Sequence, residues 1–202
     1  KGGRTKRMEN ADIEFPVRIK VTIPGHFVID VTADLMASKS KVFDRFFAES
    51  GTNKLDLKEK LFLLGDPSAK SKDLVLKFAD LCCGGEAIFK DFGEIVDVAL
   101  IAEDWESEEI QDILFEKMEK ENILSFEEKF SLLIKKYNDV KAFLKDPKMK
   151  KAKENVGETI ERFIAKHFSE FLDSNSSLNV SSELIQKVLR NRYFARPPKK
   201  LF

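Results

Sequence analysis

The chain begins in one hydrophobic period and ends in another. Phe15, Val17, Ile19, Val21 and Ile23 alternate with Glu14, Pro16, Arg18, Lys20 and Thr22, the period of two expected of a half-buried strand. Pro24-Gly25 suits the centre of a type II turn, where glycine accepts a positive φ. The alternation resumes at Phe27, Ile29 and Val31, so residues 13–32 are predicted to form a β-hairpin with one face in the core.

Beyond that point the spacing becomes helical. Leu35 and Met36 open a short piece, and Val42, Phe43, Phe46 and Phe47 follow at intervals of one, three and four. Gly51-Thr52-Asn53 breaks this helix, and Leu55 and Leu57 predict a brief third strand. Leu74, Val75, Phe78, Leu81 and Cys82 form a stripe stopped by Gly84-Gly85 in the position of a C-terminal cap. Asp91 with Glu94 reads as a capping box, opening a helix whose inner face is Phe92, Ile95, Val96, Ala99 and Leu100. Ile110, Ile113, Leu114 and Met118 carry one more helix.

From residue 119 onward the strand pattern is gone. Ser125 and Glu128 form a second capping box, after which Phe126, Phe130, Leu133, Ile134, Tyr137 and Val140 line a long helix running towards Pro147. Val156, Ile160, Phe163, Ile164, His167 and Phe168 mark the next, and Leu184, Ile185, Val188 and Leu189 the last. The expected class is therefore α+β. Residues 1–12 read as a flexible basic arm, 13–118 as a mixed α/β domain, 119–194 as an all-helical segment and 195–202 as a tail or linker.

Composition narrows the function classes. Of 202 residues, 43% are apolar, enough for a real core. The 35 basic and 35 acidic side chains cancel, which argues against binding nucleic acid or an anionic membrane through bulk charge. The 18 phenylalanines are spread along the chain and read as core filler; a base-stacking platform would cluster them with basic residues. The longest apolar runs, Val98–Ala102 and Leu61–Leu64, are far short of the ~20 residues of a membrane span. Lys1-Gly2-Gly3-Arg4 has no apolar stretch behind it, so no secretory signal is read there, and the expected location is cytoplasmic or nuclear.

Candidate chemistry is sparse. Cys82 and Cys83 are adjacent, a geometry that strains a mutual disulfide, and read as thiols of a reducing compartment. His26 follows a turn and His167 lies on an apolar stripe, so both read as packed rather than catalytic. No zinc-ligand spacing and no phosphate-cradling glycine loop occurs in the sequence. Glu103, Asp104, Glu106, Glu108 and Glu109 read as a solvated face with favourable charge at a helix N-terminus. Lys145–Lys153 holds five lysines against Asp146 and reads as a solvated loop. Neither an enzyme nor a cofactor or metal site is expected.

The order of elements resembles the BTB/POZ domain. Leu35-Met36-Ala37-Ser38-Lys39-Ser40-Lys41-Val42-Phe43, continuing into Phe46-Phe47, looks like that family's Leu-Ala-Ala-x-Ser-x-Val/Tyr-Phe segment. Leu55-Asp56-Leu57 is similar to its third strand, and Phe78 through Gly84-Gly85 to its Phe-x-x-Tyr-x-Gly helix exit. Val96 through Trp105 looks like its Leu-x-x-Ala-x-x-aromatic run. Phe163-Ile164-Ala165-Lys166-His167-Phe168 is close to the Phe-Ile-x-x-Asn-Phe of a BACK-type helical segment. The chain departs from the family at Val17, where an opening Asp is usual, and at Thr32-Ala33, where a His-Lys/Arg pair is usual. Phe47-Ala48-Glu49 fits the hydrophobic-x-Glu motif of cullin-binding members but lies about one helical turn early, Gly51-Thr52-Asn53 standing in the loop itself.

What this resemblance implies is a protein-interaction module, a homodimerising scaffold with a BTB/POZ-like fold followed by a BACK-like segment. A two-fold seam needs a self-complementary apolar patch, for which Val31, Leu35 and Met36 are candidates, each equally readable as core. The alternative is a cullin-type ubiquitin-ligase adaptor recruiting a protein substrate. Phe47, Glu49 and Trp105 would face the cullin there, although Trp105 also reads as core. A third reading is a transcription or chromatin factor whose basic termini touch nucleic acid.

Overall fold

The computed structural model describes residues 18–23, 27–50, 54–56, 69–144 and 156–194. Strand β1 (Arg18–Ile23) pairs antiparallel with β2 (Phe27–Thr32), in register from Arg18 opposite Thr32 to Ile23 opposite Phe27. After α1 (Ala33–Lys39) and α2 (Lys41–Ser50), β3 (Lys54–Asp56) adds to β1 in parallel, giving the order β2-β1-β3. The rest is helical: α3 (Ala69–Cys82), α4 (Phe92–Asp104), α5 (Glu108–Lys120), α6 (Phe126–Leu144), α7 (Glu158–Lys166), α8 (Phe168–Asp173) and α9 (Ser182–Arg190). The terminal segments 1–12 and 195–202, the Pro24-Gly25 turn, the Gly51-Thr52-Asn53 break, Leu57 and Lys145–Lys153 lie outside the described residues.

The expectation of an α+β, BTB/POZ-like fold is corrected here: the body of the described structure is all-α. A fold class follows from the elements that build the core. Among the described residues, helices α1 to α9 make up most of the structure and the three strands are short. The period-two pattern settles into two six-residue strands and one of three residues, beside nine α-helices among the described residues. That core is one cluster from Met36 to Val188, and it passes residue 119 without a gap.

At its centre is α4. All thirteen of its residues are buried, so the single inner face read from Phe92, Ile95, Val96, Ala99 and Leu100 is only part of it. Val98, Ile101 and Ala102 are apolar on the opposite side, and a helix apolar all round must be surrounded. It packs against α3, α5, α6 and α7. Four carboxylates are carried inside with it, and a buried charge needs a partner. Glu94 pairs with Lys77 of α3 at 2.6 Å and also accepts the Lys90 N–H at 2.9 Å. Burial works against its charge, but these contacts overcome it and hold the carboxyl below its usual range. Asp97 pairs with Lys136 of α6.

Aromatic rings join the surrounding helices. Phe163 of α7 meets Phe92 of α4, Phe115 of α5 and Phe130 of α6 edge-on, at centroid distances of 5.9, 6.2 and 6.4 Å. Such T-shaped pairs add to the burial of apolar area. Phe130 in turn meets Phe171 of α8 at 5.2 Å.

Helix ends follow the sequence closely. Asp91 accepts from the Glu94 N–H at 2.9 Å, and Ser125 and Glu128 exchange reciprocal bonds to form a full capping box. Past α3, Gly84 takes a φ of +77° while its N–H reaches Leu81 O and that of Gly85 reaches Asp80 O. This is the paired-bond pattern of a Schellman cap, which favours glycine at the left-handed position.

Because Phe163 touches three other helices, Phe163→Ala is expected to cost about 3–5 kcal/mol. Urea unfolding will show it as a lowered midpoint at an unchanged slope. Phe126→Ala, at a partly exposed ring, is expected to cost clearly less in the same titration.

Candidate interaction surface

Helix α1 divides two neighbouring candidates between inside and outside. Met36 is fully buried, whereas Leu35 keeps 40% of its surface exposed. Asp34, Leu35 and Ser38 share the outer face, and the Ser38 hydroxyl donates back to Leu35 O at 2.9 Å. Helix α3, which packs against α1, likewise turns Leu76 outward at 41% between exposed Lys72 and Asp80. Met36 is therefore a core residue of the monomer and offers nothing to a seam, while Leu35 is presented to solvent. Val31 lies on β2, and its side chain is outside the described residues.

What holds Leu35 in place is a clasp between two helix junctions. Ser40, between α1 and α2, donates to Trp105 O, and Ser107, between α4 and α5, donates to Lys39 O. The Lys41 N–H donates to Glu106 O at 3.3 Å. Around this buried exchange lie the ion pairs Lys39–Glu109, Lys41–Glu108 and Arg45–Glu106. Exposed pairs of this kind contribute little energy singly, but here they close the rim over two buried serines.

Trp105 belongs to this junction and not to the surface. It is 1% exposed, and its ring meets Phe43 at 5.3 Å and Phe78 at 4.9 Å, both nearly perpendicular. It joins α2, α3 and α4 and is closed to a cullin or any other partner. Phe47 and Glu49, the other cullin-surface candidates, lie on α2 with side chains outside the described residues.

The acidic run is not one solvated face. Glu106, Glu108 and Glu109 take the three cations just named, whereas Glu103 and Asp104 are buried. Glu103 reaches from the end of α4 to the start of α7, where its two oxygens accept the N–H groups of Gly157 and Thr159, each at 2.5 Å. It thereby caps α7 from fifty-odd residues away, at the positive end of that helix. Gly157 holds a φ of +115°, and a Cβ there would meet the Tyr137 ring at 3.0 Å, so this N–H can be presented only by glycine. Local spacing gave no signal of the cap, because its donors are backbone groups.

The remaining candidates resolve quietly. His167 Nε2 hydrogen-bonds to the Glu119 carboxylate, which accepts at 2.7 Å, and its ring lies between those of Phe126 and Phe163, each 4.8 Å away. His26 is outside the described residues. Cys82 is buried, and burial pushes its thiol up to about 12, while Cys83 is exposed. Among the described residues no three His, Cys, Asp or Glu side chains group as metal ligands, and no helix is long and apolar enough to cross a membrane. A cleft of about 730 Å³ opens between α5 and the ends of α7 and α9. In it the Arg162 guanidinium pairs with Asp112 at 2.6 Å and stacks between Phe115 and Tyr193 at 3.9 and 4.3 Å.

No model of a known protein family matches the chain, and no curated protein matches it. The likeness to BTB/POZ and BACK segments thus rests on the short motifs quoted above.

Burial is the main influence on Glu103 and pushes its carboxyl up to about 7, against the hydrogen bonds from Thr159 and Gly157. The ordinary value in an unfolded chain is 4.5. Between these limits the folded protein holds a proton that the unfolded chain has released, so stability falls as pH rises. The contribution is complete below pH 4.5, lost as pH passes 7, and on the order of 3 kcal/mol. Urea midpoints taken from pH 5 to 8 are expected to decline, and Glu103→Gln is expected to flatten that slope.

Proposed function

We propose that this chain is a protein–protein interaction module that associates with a second copy of itself through α1 and the outer edge of β2. The observation that carries the reading is Leu35, held outward at 40% exposure beside fully buried Met36 by a junction that packs from behind. Two further features support it. In the order β2-β1-β3, β2 is an edge strand among the described residues, and an unpaired edge is a template for another strand. It continues directly into α1, so the free edge and Leu35 belong to one stretch of chain. A two-fold axis beside this stretch would set Leu35 and the β2 edge against their own copies, as a self-complementary interface requires.

Leu35→Asp is the direct test. Light scattering over a range of concentrations is expected to give about twice the 23.2 kDa chain mass for the unaltered protein and the chain mass for the variant. Its helical circular dichroism should be unchanged, since Leu35 lies on the outer face. Met36→Asp, by contrast, is expected to unfold. A wild-type protein that stays monomeric at all concentrations would overturn the proposal.

A further inference from the structure

Three turns meet at the end of the helical body where α4 and α6 begin and α5 stops. The first, 83–91, leads into α4; the second, 121–125, joins α5 to α6; the third is the 3-10 turn Asn175–Asn179 after α8. Lys129 of α6 lies over the Phe92 ring at the start of α4, 5.3 Å from its centroid. Lys117, near the end of α5, lies 5.7 Å from the centroid of Phe89. The Asn175 N–H and the Ser176 hydroxyl donate to Glu127 of α6 at 2.9 and 3.0 Å. The α1 junction is at the other end of α4, where Ser40 meets Trp105.

Each turn projects one large aliphatic side chain into solvent: Ile88 at 84%, Ile123 at 89% and Leu178 at 81% exposure. Among the described residues no other large apolar side chain exceeds 52%. A single exposed aliphatic is ordinary on a protein surface, but here the three most exposed share one end. Their surroundings are also uncharged. Stretches 87–89, 122–126 and 174–182 carry no Asp, Glu, Lys or Arg, in a chain that is 35% charged. The carboxylates bordering them are engaged: Asp91, Glu127 and Glu128 accept the N–H groups of Glu94, Asn175 and Ser125, and Glu121 pairs with Lys129. The exposed rim lysines have carboxylates alongside, Asp73 and Glu94 for Lys90 and Glu116 for Lys120. Glu86 is exposed beside Ile88, so the end has no cationic excess.

We infer that this end of the bundle docks on a membrane surface of zwitterionic phospholipids, with Ile88, Ile123 and Leu178 entering the boundary between headgroups and acyl chains. Binding of that kind grows with the apolar area buried and needs no net charge. It therefore suits a chain whose basic and acidic side chains cancel, for which attraction to anionic lipid is disfavoured. The serines and asparagines around the tips can hydrogen-bond to water and headgroups, whereas a charged side chain at that depth would be costly. A fluid bilayer accepts three separate tips at once; a protein would need a pocket fitted to each. Because the α1 junction lies at the opposite end of α4, this contact does not depend on self-association through Leu35.

The test is co-sedimentation of the chain with phosphatidylcholine vesicles. The protein is expected to sediment with them, equally at low and high salt and without phosphatidylserine. Ile88→Ser and Ile123→Ser are each expected to lower the partition coefficient about tenfold. Their urea midpoints should be unchanged, since both side chains stand in solvent. Leu189→Ser is expected to leave partitioning unchanged, because that exposed leucine lies near the end of α9, by the start of α7 and the far end of α4. Absence of sedimentation with phosphatidylcholine at any lipid concentration overturns the inference. So does binding that both isoleucine variants retain in full, or binding that requires phosphatidylserine and is lost in salt, which would assign it to the lysines. Self-association lost in these variants, with no vesicle binding by the unaltered protein, would assign this end to a protein contact instead.

Discussion

A helix buried on every side and carrying four carboxylates constrains everything around it. Burial of α4 removes thirteen residues from water, a large favourable contribution where they are apolar. The same burial makes Glu94, Asp97, Glu103 and Asp104 expensive unless each finds a partner. The partners come from different neighbours, so satisfying the charges also fixes which helix lies where. Lys77 draws α3 to the start of α4, Lys136 sets α6 alongside its middle, and the N-terminus of α7 meets its end at Glu103. Apolar stripes alone would permit several rotations of these helices; the charge partners select one.

The same logic reaches the surface. The turn that ends α4 places Trp105 between Phe43 and Phe78 and offers its carbonyl to Ser40. That contact orients α1, turning Met36 inward and Leu35 outward. An exposed leucine on a rigidly held helix, next to an edge strand, is thus a consequence of how the core closes. On the far side, capping of α7 by Glu103 fixes Glu161 relative to Tyr137 and Lys187.

Much of the helical body was legible because its signals are local. The Ser125 and Asp91 caps, the Gly84-Gly85 stop and the stripes through Phe78, Phe130 and Phe163 each lie within a few residues of the element they define. The class of fold was not. Alternation from Phe15 to Val31 weighs heavily in a linear reading, yet fold class depends on how much of the structure each kind of element builds, and the described residues are mostly helical. The acidic run around Glu103 was misread for a related reason. A carboxylate whose partners are backbone N–H groups of a distant helix looks, in sequence, like one that faces water. Leu35 and Met36, adjacent and equally apolar, were separable only once α1 had been placed against the α4–α5 junction.

Surrounded on every side and tied to three neighbours by its carboxylates, α4 is the last element to open. Native-state amide hydrogen exchange measures this directly, since each amide reports the free energy of the opening that exposes it. Amides from Val96 to Ala102 are expected to exchange only through global unfolding, with protection equal to the stability from urea titration and higher than that of α8 or α9. Exchange of those amides through a smaller, local opening would contradict it.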